Sequence, residues 1–175
     1  MTRTYHTAIV SVGSNIGDGI HNIQQAYKSI QAEIGEIKLF SSFYESAPWG
    51  FEAEQNFVNS VIVLHTHLSS KELLKNLKKI EQQMGRVKHS DGNYHSRIID
   101  LDVVDFDGVV INENDLIVPH PRMLERCFVL QPLIEILPNY RHPLYPTKDL
   151  QNCVQELECS SNLKLITLKD EGNHQ

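Results

Sequence analysis

The order of the segments along the chain is the feature that most restricts its fold. Four β-rich runs alternate with two stretches whose apolar residues recur at helical spacing; the runs are 7–12, 37–44, 57–66 and 98–106, and the helical stretches are 20–34 and 73–84. The order strand, helix, strand, strand, helix, strand is the ferredoxin-like βαββαβ arrangement. It predicts an α+β fold with an antiparallel sheet, both helices on one face and the other face free to carry a site.

Capping residues support both helices. Asp18 precedes the first helical stretch as a predicted N-cap, and Ser69 with Glu72 has the spacing of a capping box before the second. Beyond the last β-rich run, residues 119–136 predict short helical turns separated by prolines, and residues 150–157 predict a peripheral helix. The part of the chain after the sheet is therefore expected to be a mainly helical extension.

The 175 residues contain no internal repeat and no linker, which predicts a single domain over 1–168 and a frayed polar tail over 169–175. No apolar run approaches the roughly 18 residues of a membrane span, and no secretory signal is expected. The cysteines are odd in number and form no Cys-x-x-Cys pair, so Cys127, Cys153 and Cys159 are expected to be free thiols. These features predict a cytoplasmic protein that does not associate with membranes.

Asp100-Leu101-Asp102 is the first group of residues that suggests chemistry. Alternation along a strand places both carboxylates on one face, where their like charges repel. A hard divalent cation such as Mg²⁺ relieves that repulsion, and its usual partners are carboxylates and substrate phosphates. The alternative is a solvent-exposed acidic strand face, because Asp105 and Asp107 continue the acidic run.

Basic residues surround the acidic pair in sequence. Seven of the sixteen lysines and arginines lie between residues 71 and 97, and Arg86 and Arg97 mark the ends of a polar stretch without periodicity. Carboxylate-bound metal with nearby guanidinium groups is the arrangement that phosphoryl transfer uses. For the helical lysines, a solvated helix face is the more ordinary interpretation.

Three other motifs are weaker indicators of function. The glycine-rich stretch 13–19 lacks the Gly-Lys-Ser/Thr ending of a phosphate loop and is interpreted as a tight turn between strand and helix. Phe57 and Asn59 project from the same side of one strand, a pairing that suits a planar heterocycle with hydrogen-bonding groups. His120, held between two prolines, is a candidate phosphate contact.

Together these segments resemble the 6-hydroxymethyl-7,8-dihydropterin pyrophosphokinase family of the folate pathway. The similarity extends from about residue 8 to 135, and the matching motifs are Val12-Gly13-Ser14-Asn15, Ser46-Ala47-Pro48-Trp49, Phe57-Val58-Asn59, Gly85-Arg86-Val87, Arg97-Ile98-Ile99-Asp100-Leu101-Asp102, Val118-Pro119-His120-Pro121 and Arg126-Cys127-Phe128. The family fold is ferredoxin-like with an extended C-terminal part.

The resemblance implies transfer of pyrophosphate from ATP, as co-substrate, to the hydroxymethyl oxygen of the pterin, with release of AMP. It implies that Asp100 and Asp102 hold two Mg²⁺ ions and that Arg86 and Arg97 are catalytic. The other implied contacts are to the pterin, from Ser46, Ala47, Pro48, Trp49, Phe57, Asn59 and Phe128, and to ATP, from Lys88, His120 and Arg126.

Two alternatives remain open at this point. The first is another Mg²⁺-dependent nucleotidyl or phosphoryl transferase that uses Asp-x-Asp, and the second is a non-catalytic ferredoxin-like module that binds RNA or a small effector. An RNA-binding sheet would carry aromatic residues on a basic surface, whereas this chain has a formal charge of −6. We therefore expect small-molecule substrates, no nucleic acid and no obligate protein partner.

Overall fold

The computed structural model describes residues 5–85 and 95–168; the predicted tail over 169–175 lies outside them. The strands are β1 (His6–Ser14), β2 (Gly35–Phe40), β3 (Phe43–Ser46), β4 (Phe57–Thr66), β5 (Asp100–Phe106), β6 (Ile111–Asn112), β7 (Ile117–Val118) and β8 (Leu163–Ile166). The helices are α1 (Gly19–Glu33), α2 (Ser70–Gln83), α3 (Cys127–Ile136), α4 (Leu150–Glu156) and α5 (Cys159–Asn162), with a 3-10 turn over Met123–Glu125.

Within residues 5–85 and 95–168, six strands form one antiparallel sheet. Its order is β5-β1-β4-β3-β8, and β2 pairs with β4 beside β3. Strands β6 and β7 form a separate two-stranded ladder. The predicted antiparallel sheet with helices is confirmed.

The β-rich run over 37–44 is divided into two strands, which the sequence did not predict. The interruption falls at Ser41, whose backbone N–H donates to the Val61 carbonyl oxygen at 2.9 Å. The Ser41 hydroxyl in turn accepts a hydrogen bond from the Val61 N–H at 2.9 Å. Because a side-chain oxygen takes the place of a backbone carbonyl, the ladder is broken at this position without leaving the buried N–H unsatisfied.

Both predicted helix caps are present. The Asp18 carboxylate accepts a hydrogen bond from the His21 N–H at 3.0 Å. The Ser69 hydroxyl accepts from the Glu72 N–H at 3.4 Å, and a Glu72 carboxylate oxygen accepts from the Ser69 N–H at 2.8 Å. These contacts satisfy N–H groups that have no partner within the first turn of a helix.

The sheet separates two apolar cores. On one face, α1 and α2 pack against alternate residues of the central strands, including the fully buried Val10, Ile62 and Leu101. On the other face, α3 and α4 cover residues of the opposite alternation, including Ile9 and Val61. Within the described ranges, none of the helices combines the length and apolar character that a membrane span requires.

The chain after β5 contains helices α3, α4 and α5, but it also returns to the sheet. Strand β8 pairs with β3 in antiparallel register, with Leu163 opposite Ser46. On α3, the Glu135 carboxylate accepts hydrogen bonds from the Ser42 N–H at 2.8 Å and the Tyr44 hydroxyl at 2.5 Å. Helix α3 is thereby fixed to β3 and to the residue that precedes it.

The expectation of three free thiols is wrong. Cys127, the first residue of α3, forms a disulfide with Cys159, the first residue of α5, and their Cα atoms are 5.2 Å apart. The two cysteines are 32 residues apart in sequence, so only the packing of α5 near the start of α3 brings them together. Cys153 is a free cysteine and is buried under α3.

Candidate functional site

A pocket opens on the face of the sheet that α3 only partly covers. Its floor is formed where β5, β1 and β4 run side by side, because Gly13 is opposite Asp100 on β5 and opposite Asn59 on β4. The residues that line it are Ser11, Gly13, Ser46, Ala47, Trp49, Phe51, Phe57, Asn59, Arg97, Asp100, Asp102, Arg126 and Phe128.

Gly13 keeps the floor of this pocket open. A Cβ atom at this position would lie 3.2 Å from the Asn59 Oδ1 and 3.6 Å from the Phe57 ring. A side chain there would therefore press on the amide and the aromatic ring that β4 presents to the pocket. The absence of a side chain, rather than an unusual backbone conformation, is what this glycine provides.

The two aspartates of β5 lie at one end of the pocket. The Arg97 guanidinium donates from Nη1 to the Asp100 Oδ1 at 2.9 Å, and both side chains are mostly buried. Burial raises the pKa of Asp102 above its usual value, and the neighbouring Asp100 charge raises it further, while Arg126 and Arg97 act in the opposite direction. The pair is therefore a concentration of negative charge that a cation would stabilise.

Glu81 adds a third carboxylate behind the pair. It is the last buried residue of α2, with 2% of its surface exposed. Its Oε1 accepts a hydrogen bond from the backbone N–H of Leu101, the residue between the two aspartates, at 2.8 Å. This contact fixes the backbone of β5 at the point where both aspartate side chains must face the pocket.

The opposite end of the pocket is suited to a flat polar ring. Asn59 is 4% exposed, and its Nδ2 donates to the Ser46 hydroxyl at 2.8 Å. Its Oδ1 accepts no hydrogen bond from the described residues and lies beside Gly13 at the pocket floor. Phe57 lies next to it, with the Phe51 ring edge-on at a centroid distance of 6.1 Å. An apolar surface with an available acceptor is therefore present here.

Arg126 lies between two aromatic rings at the mouth of the pocket. Its guanidinium carbon is 4.8 Å from the Trp49 ring centroid and 5.5 Å from the Phe128 ring centroid. Arg122 contacts the same Trp49 ring at 5.4 Å. Cation–π contacts thus hold a positive charge within the aromatic part of the pocket.

A second cavity, of about 250 Å³, adjoins the first. Asp102 lines both cavities. The second is otherwise lined by α2, by Val103, by residues 114–117 from the β6–β7 link into the start of β7, and by His120 and Pro121. Burial, with a smaller contribution from the Arg126 charge, lowers the pKa of His120 to about 4. His120 is therefore neutral at pH 7, and its Nδ1 accepts a hydrogen bond from the Arg122 N–H at 3.1 Å.

The structure brings most of the predicted site residues to these two cavities. Pro48 is the exception within the described residues, because it lines a neighbouring cleft with Cys127 and Leu163 instead of the pocket. Arg86 and Lys88 lie outside the described residues. Sequence reasoning missed the pocket positions of Ser11, Gly13 and Phe51, although Phe51 directly follows Trp49-Gly50. Gly13 is predicted from the sequence as part of a turn but belongs to β1.

Comparisons with known proteins agree on one family. The model of the 7,8-dihydro-6-hydroxymethylpterin-pyrophosphokinase family matches residues 9–138. The chain is 37% identical over 144 residues to the 2-amino-4-hydroxy-6-hydroxymethyldihydropteridine pyrophosphokinase of Porphyromonas gingivalis, covering 81% of this chain and 97% of that protein. It is 40% identical over 147 residues to the protein of the same name from Aquifex aeolicus, covering 83% and 90%.

Solved structures show the same fold. The HPPK-DHPS triple mutant of Plasmodium falciparum superposes with a TM-score of 0.76 at 14% identity, over 95% of this chain and 48% of that one. This chain therefore spans about half the length of that structure. It also matches 20% of the folic acid synthesis protein FOL1 of Dictyostelium discoideum at 39% identity.

Proposed function

Since the chain belongs to the 7,8-dihydro-6-hydroxymethylpterin-pyrophosphokinase family, an enzyme family of folate synthesis, we propose that it transfers pyrophosphate from ATP to the hydroxymethyl oxygen of 6-hydroxymethyl-7,8-dihydropterin. The pterin oxygen forms a bond to the β-phosphorus of ATP. The bond between that phosphorus and the oxygen of the α-phosphate breaks, and AMP leaves. The proton of the hydroxymethyl group is lost from the attacking oxygen.

The observation that carries this proposal is the position of Asp102 between two cavities. One cavity has the aromatic rings and the amide that suit a pterin. The other has His120 and the face of α2 that carries Lys78. A phosphate chain that reaches from the second cavity into the first must pass the aspartate pair, which is where the transferred group must lie.

The aspartate pair fits Mg²⁺, and we assign two such ions to it. Among the described residues, no group of three or more His, Cys, Asp or Glu side chains could hold a metal by itself. Asp100 and Asp102 would therefore share the ions with phosphate oxygens and water, as is usual for Mg²⁺ in phosphoryl transfer. When bound, Mg²⁺ neutralises charge on the phosphates and orients them for in-line displacement.

The basic residues act on the phosphate chain. Arg97 holds a guanidinium at the aspartate pair, where it stabilises negative charge on the transferred group. Arg126 is 7% exposed and lines the pterin pocket, and its charge also reaches His120 in the second cavity. We assign Arg126 and His120 to ATP, and neutral His120 supplies a hydrogen bond rather than a charge. Arg86 remains a predicted catalytic residue and Lys88 a predicted ATP contact.

The pterin occupies the aromatic pocket. Phe57 and Phe128 stack on the heterocycle, while the available Asn59 Oδ1 accepts hydrogen bonds from ring N–H groups. Ser46, Ala47 and Trp49 supply backbone hydrogen bonds along the pocket edge. Pro48, predicted with them from the sequence, lines the neighbouring cleft and is left out of the proposed pterin contacts. Ser46 also orients Asn59, because its hydroxyl accepts the hydrogen bond that leaves the amide oxygen facing the ligand.

The proposal extends to the fold, the domain organisation and the location of the protein. We infer a ferredoxin-like core, supported by the strand order β5-β1-β4-β3, and a mainly helical extension that contributes α3 to the site. We also propose a single domain over 1–168 and small-molecule partners only. A cytoplasmic location is proposed from the enzyme family and no longer from the cysteines, because Cys127 and Cys159 form a disulfide.

The test is incubation with ATP, Mg²⁺ and the hydroxymethyldihydropterin, followed by analysis of the nucleotides. We expect one AMP for each pyrophosphorylated pterin, and no product without the pterin or in the presence of a chelator. Release of ADP would instead support the alternative of an ordinary phosphoryl transferase. Binding of the pterin without any nucleotide turnover would support a non-catalytic module.

A further inference from the structure

We propose that Asn15 is a positioning residue that sets the location of Arg97. The inference rests on the proposed function only in that Arg97 acts on the transferred phosphates; the contact between the two residues is independent of it. Asn15 is the first residue after β1 and begins the turn that leads to α1, and the proposed function gives it no role.

Three hydrogen bonds connect Asn15 to the segment that carries Arg97. The Asn15 Oδ1 accepts from the Arg97 backbone N–H at 2.7 Å, and the Asn15 backbone N–H donates to the Arg97 carbonyl oxygen at 3.1 Å. The Asn15 Nδ2 also donates to the Ser96 hydroxyl at 3.1 Å. Both backbone groups of Arg97 and the preceding side chain are therefore bound by one residue, 82 positions away in sequence.

An amide is the group that this position requires. Asn15 is 2% exposed, and a buried polar side chain must have its hydrogen bonds satisfied. Its carbonyl oxygen accepts from Arg97 while its amino group donates to Ser96, so each half of the amide has a partner. A hydrocarbon of the same size would leave the Arg97 N–H without its acceptor.

The backbone anchor and the side-chain contacts of Arg97 act together. Its guanidinium donates from Nη1 to the Asp100 carboxylate and from Nε to the His95 carbonyl oxygen, the latter at 3.2 Å. Asn15 fixes the Cα end of the same side chain. Because the Arg97 side chain is held at its backbone and at its guanidinium, the guanidinium is already placed for charge stabilisation. A displacement of about 1 Å is enough to lower the rate on the order of a hundredfold.

The experiment compares Asn15→Leu with Asn15→Asp and with Asn22→Leu. Asn15→Asp keeps the oxygen that accepts from Arg97. Asn22→Leu is the matched control, because Asn22 donates to the Ser14 hydroxyl and the Ile16 carbonyl oxygen of the same turn without touching Arg97. We expect Asn15→Leu to lower kcat by about a hundredfold with KM changed less than about threefold, and the other two variants to stay within about tenfold of the parent kcat.

Two further readouts separate positioning from a general structural role. In an Arg97→Ala background, Asn15→Leu should cause little additional loss of kcat, because the two residues act as one unit. Hydrogen exchange of the Arg97 amide should accelerate in Asn15→Leu but not in Asn22→Leu, whether or not the protein shows pyrophosphokinase activity. Where Asn15→Leu fails to fold, Asn15→Ala with Ser96→Ala supplies the same comparison.

Full additivity of the Asn15 and Arg97 losses, or unchanged exchange at Arg97, would overturn the inference. If the parent protein forms no AMP while the Arg97 amide still depends on Asn15, the proposed function fails and the structural anchor stands. The two failures are therefore distinguishable.

Discussion

Two halves of the same sheet face have opposite characters. In the half under α3, Ile9, Val61 and Val104 pack against Leu130 and Leu133 in a dry core, all with 4% or less of their surface exposed. This half mainly buries apolar surface, which stabilises the fold by roughly 25 cal/mol per Å².

Two residues nearer the pocket on the same three strands, the side chains become polar. The positions equivalent to Ile9, Val61 and Val104 are Ser11, Asn59 and Asp102, and all three line the pocket. A step of two residues keeps a side chain on the same face, so the strands themselves do not change orientation. The body of α3 covers the apolar half, whereas Phe128 in its first turn reaches the pocket. The site thus occupies the part of the sheet that the body of α3 leaves uncovered. The polar groups that cost stability are concentrated there.

The largest difference between the two halves is expected when one carboxylate of β5 is replaced in each of them: Asp102 at the pocket and Asp105 outside it. Asp102→Ala should lower kcat by about a thousandfold or more, because it removes half of the carboxylate pair proposed to hold Mg²⁺. The free energy of unfolding without metal should not decrease, since repulsion with Asp100 is relieved. Steady-state kinetics and denaturant titration give the two values.

Asp105→Ala is the matched control on the same strand. The Asp105 carboxylate accepts hydrogen bonds from the Tyr140 hydroxyl at 2.6 Å and the Gly108 N–H at 2.8 Å, and the residue is 3% exposed. Its loss should cost about 1–3 kcal/mol of stability while the folded fraction keeps its kcat. An active Asp102→Ala protein would contradict the assignment of the metal pair.

In the apolar half, Leu130→Ala should reduce the free energy of unfolding by about 2–5 kcal/mol, because it leaves a cavity at a fully buried position of α3. The kcat of the folded protein should change little. Chemical denaturation and kinetics below the unfolding transition test this. A fall in kcat as large as that of Asp102→Ala would mean that the two halves are not separable.

A smaller effect is expected for Phe128→Ala, two residues earlier on the same helix. The ring is partly exposed at the pocket, so its removal should weaken pterin binding by about 0.5–1.5 kcal/mol. Affinity for an ATP analogue with Mg²⁺ should be nearly unchanged, as isothermal titration calorimetry would show. Equal losses for both ligands would identify Phe128 as a packing residue like Leu130.

The smallest expected effect concerns pH. Burial and the Arg126 charge lower the pKa of His120 to about 4, whereas in the unfolded chain it is about 6.5. Between these values the unfolded chain binds a proton that the folded protein excludes, so the free energy of unfolding should fall as the pH decreases from 6.5 towards 4. His120→Gln should make this dependence shallower, by less than about 1 kcal/mol because the ring is partly exposed.

His142 provides the control for this measurement. Burial also lowers the pKa of His142, and its ring lies against Tyr145, away from the pocket residues. His142→Gln should make the free energy of unfolding less dependent on pH over the same range, without changing the affinity for ATP. Denaturant titrations of both variants between pH 4.5 and 7 measure how the free energy of unfolding depends on pH. An unchanged dependence in His120→Gln would contradict a lowered pKa of His120.

Local signals were enough to predict several elements. Asp18 and Ser69 cap the helices as their sequence context predicts, because capping depends on residues within one turn. The alternation over Phe57–Thr66 gave the bounds of β4 correctly, and the Asp100-Leu101-Asp102 alternation placed both carboxylates in one pocket. Period-two alternation depends only on backbone geometry, so it is readable from the sequence.

Contacts between distant segments could not be predicted in the same way. The break at Ser41 depends on Val61, the Cys127–Cys159 disulfide depends on the packing of α5, and β8 forms only because β3 offers it an edge. None of these has a local signature, since each partner lies twenty or more residues away. The position of Arg126 between Trp49 and Phe128 has the same origin.

The sequence by itself determined the order of the main strands and helices up to β5, the caps of α1 and α2 and the residue types that the site requires, because these follow from neighbours within a few positions. Only the tertiary structure decided which of those residues meet. Gly13 faces Asn59 and Asp100, and Asn15 binds Arg97, because strand register aligns segments that are far apart in the chain. Register is set by packing of the whole sheet against two cores, and that packing is a property of the complete fold.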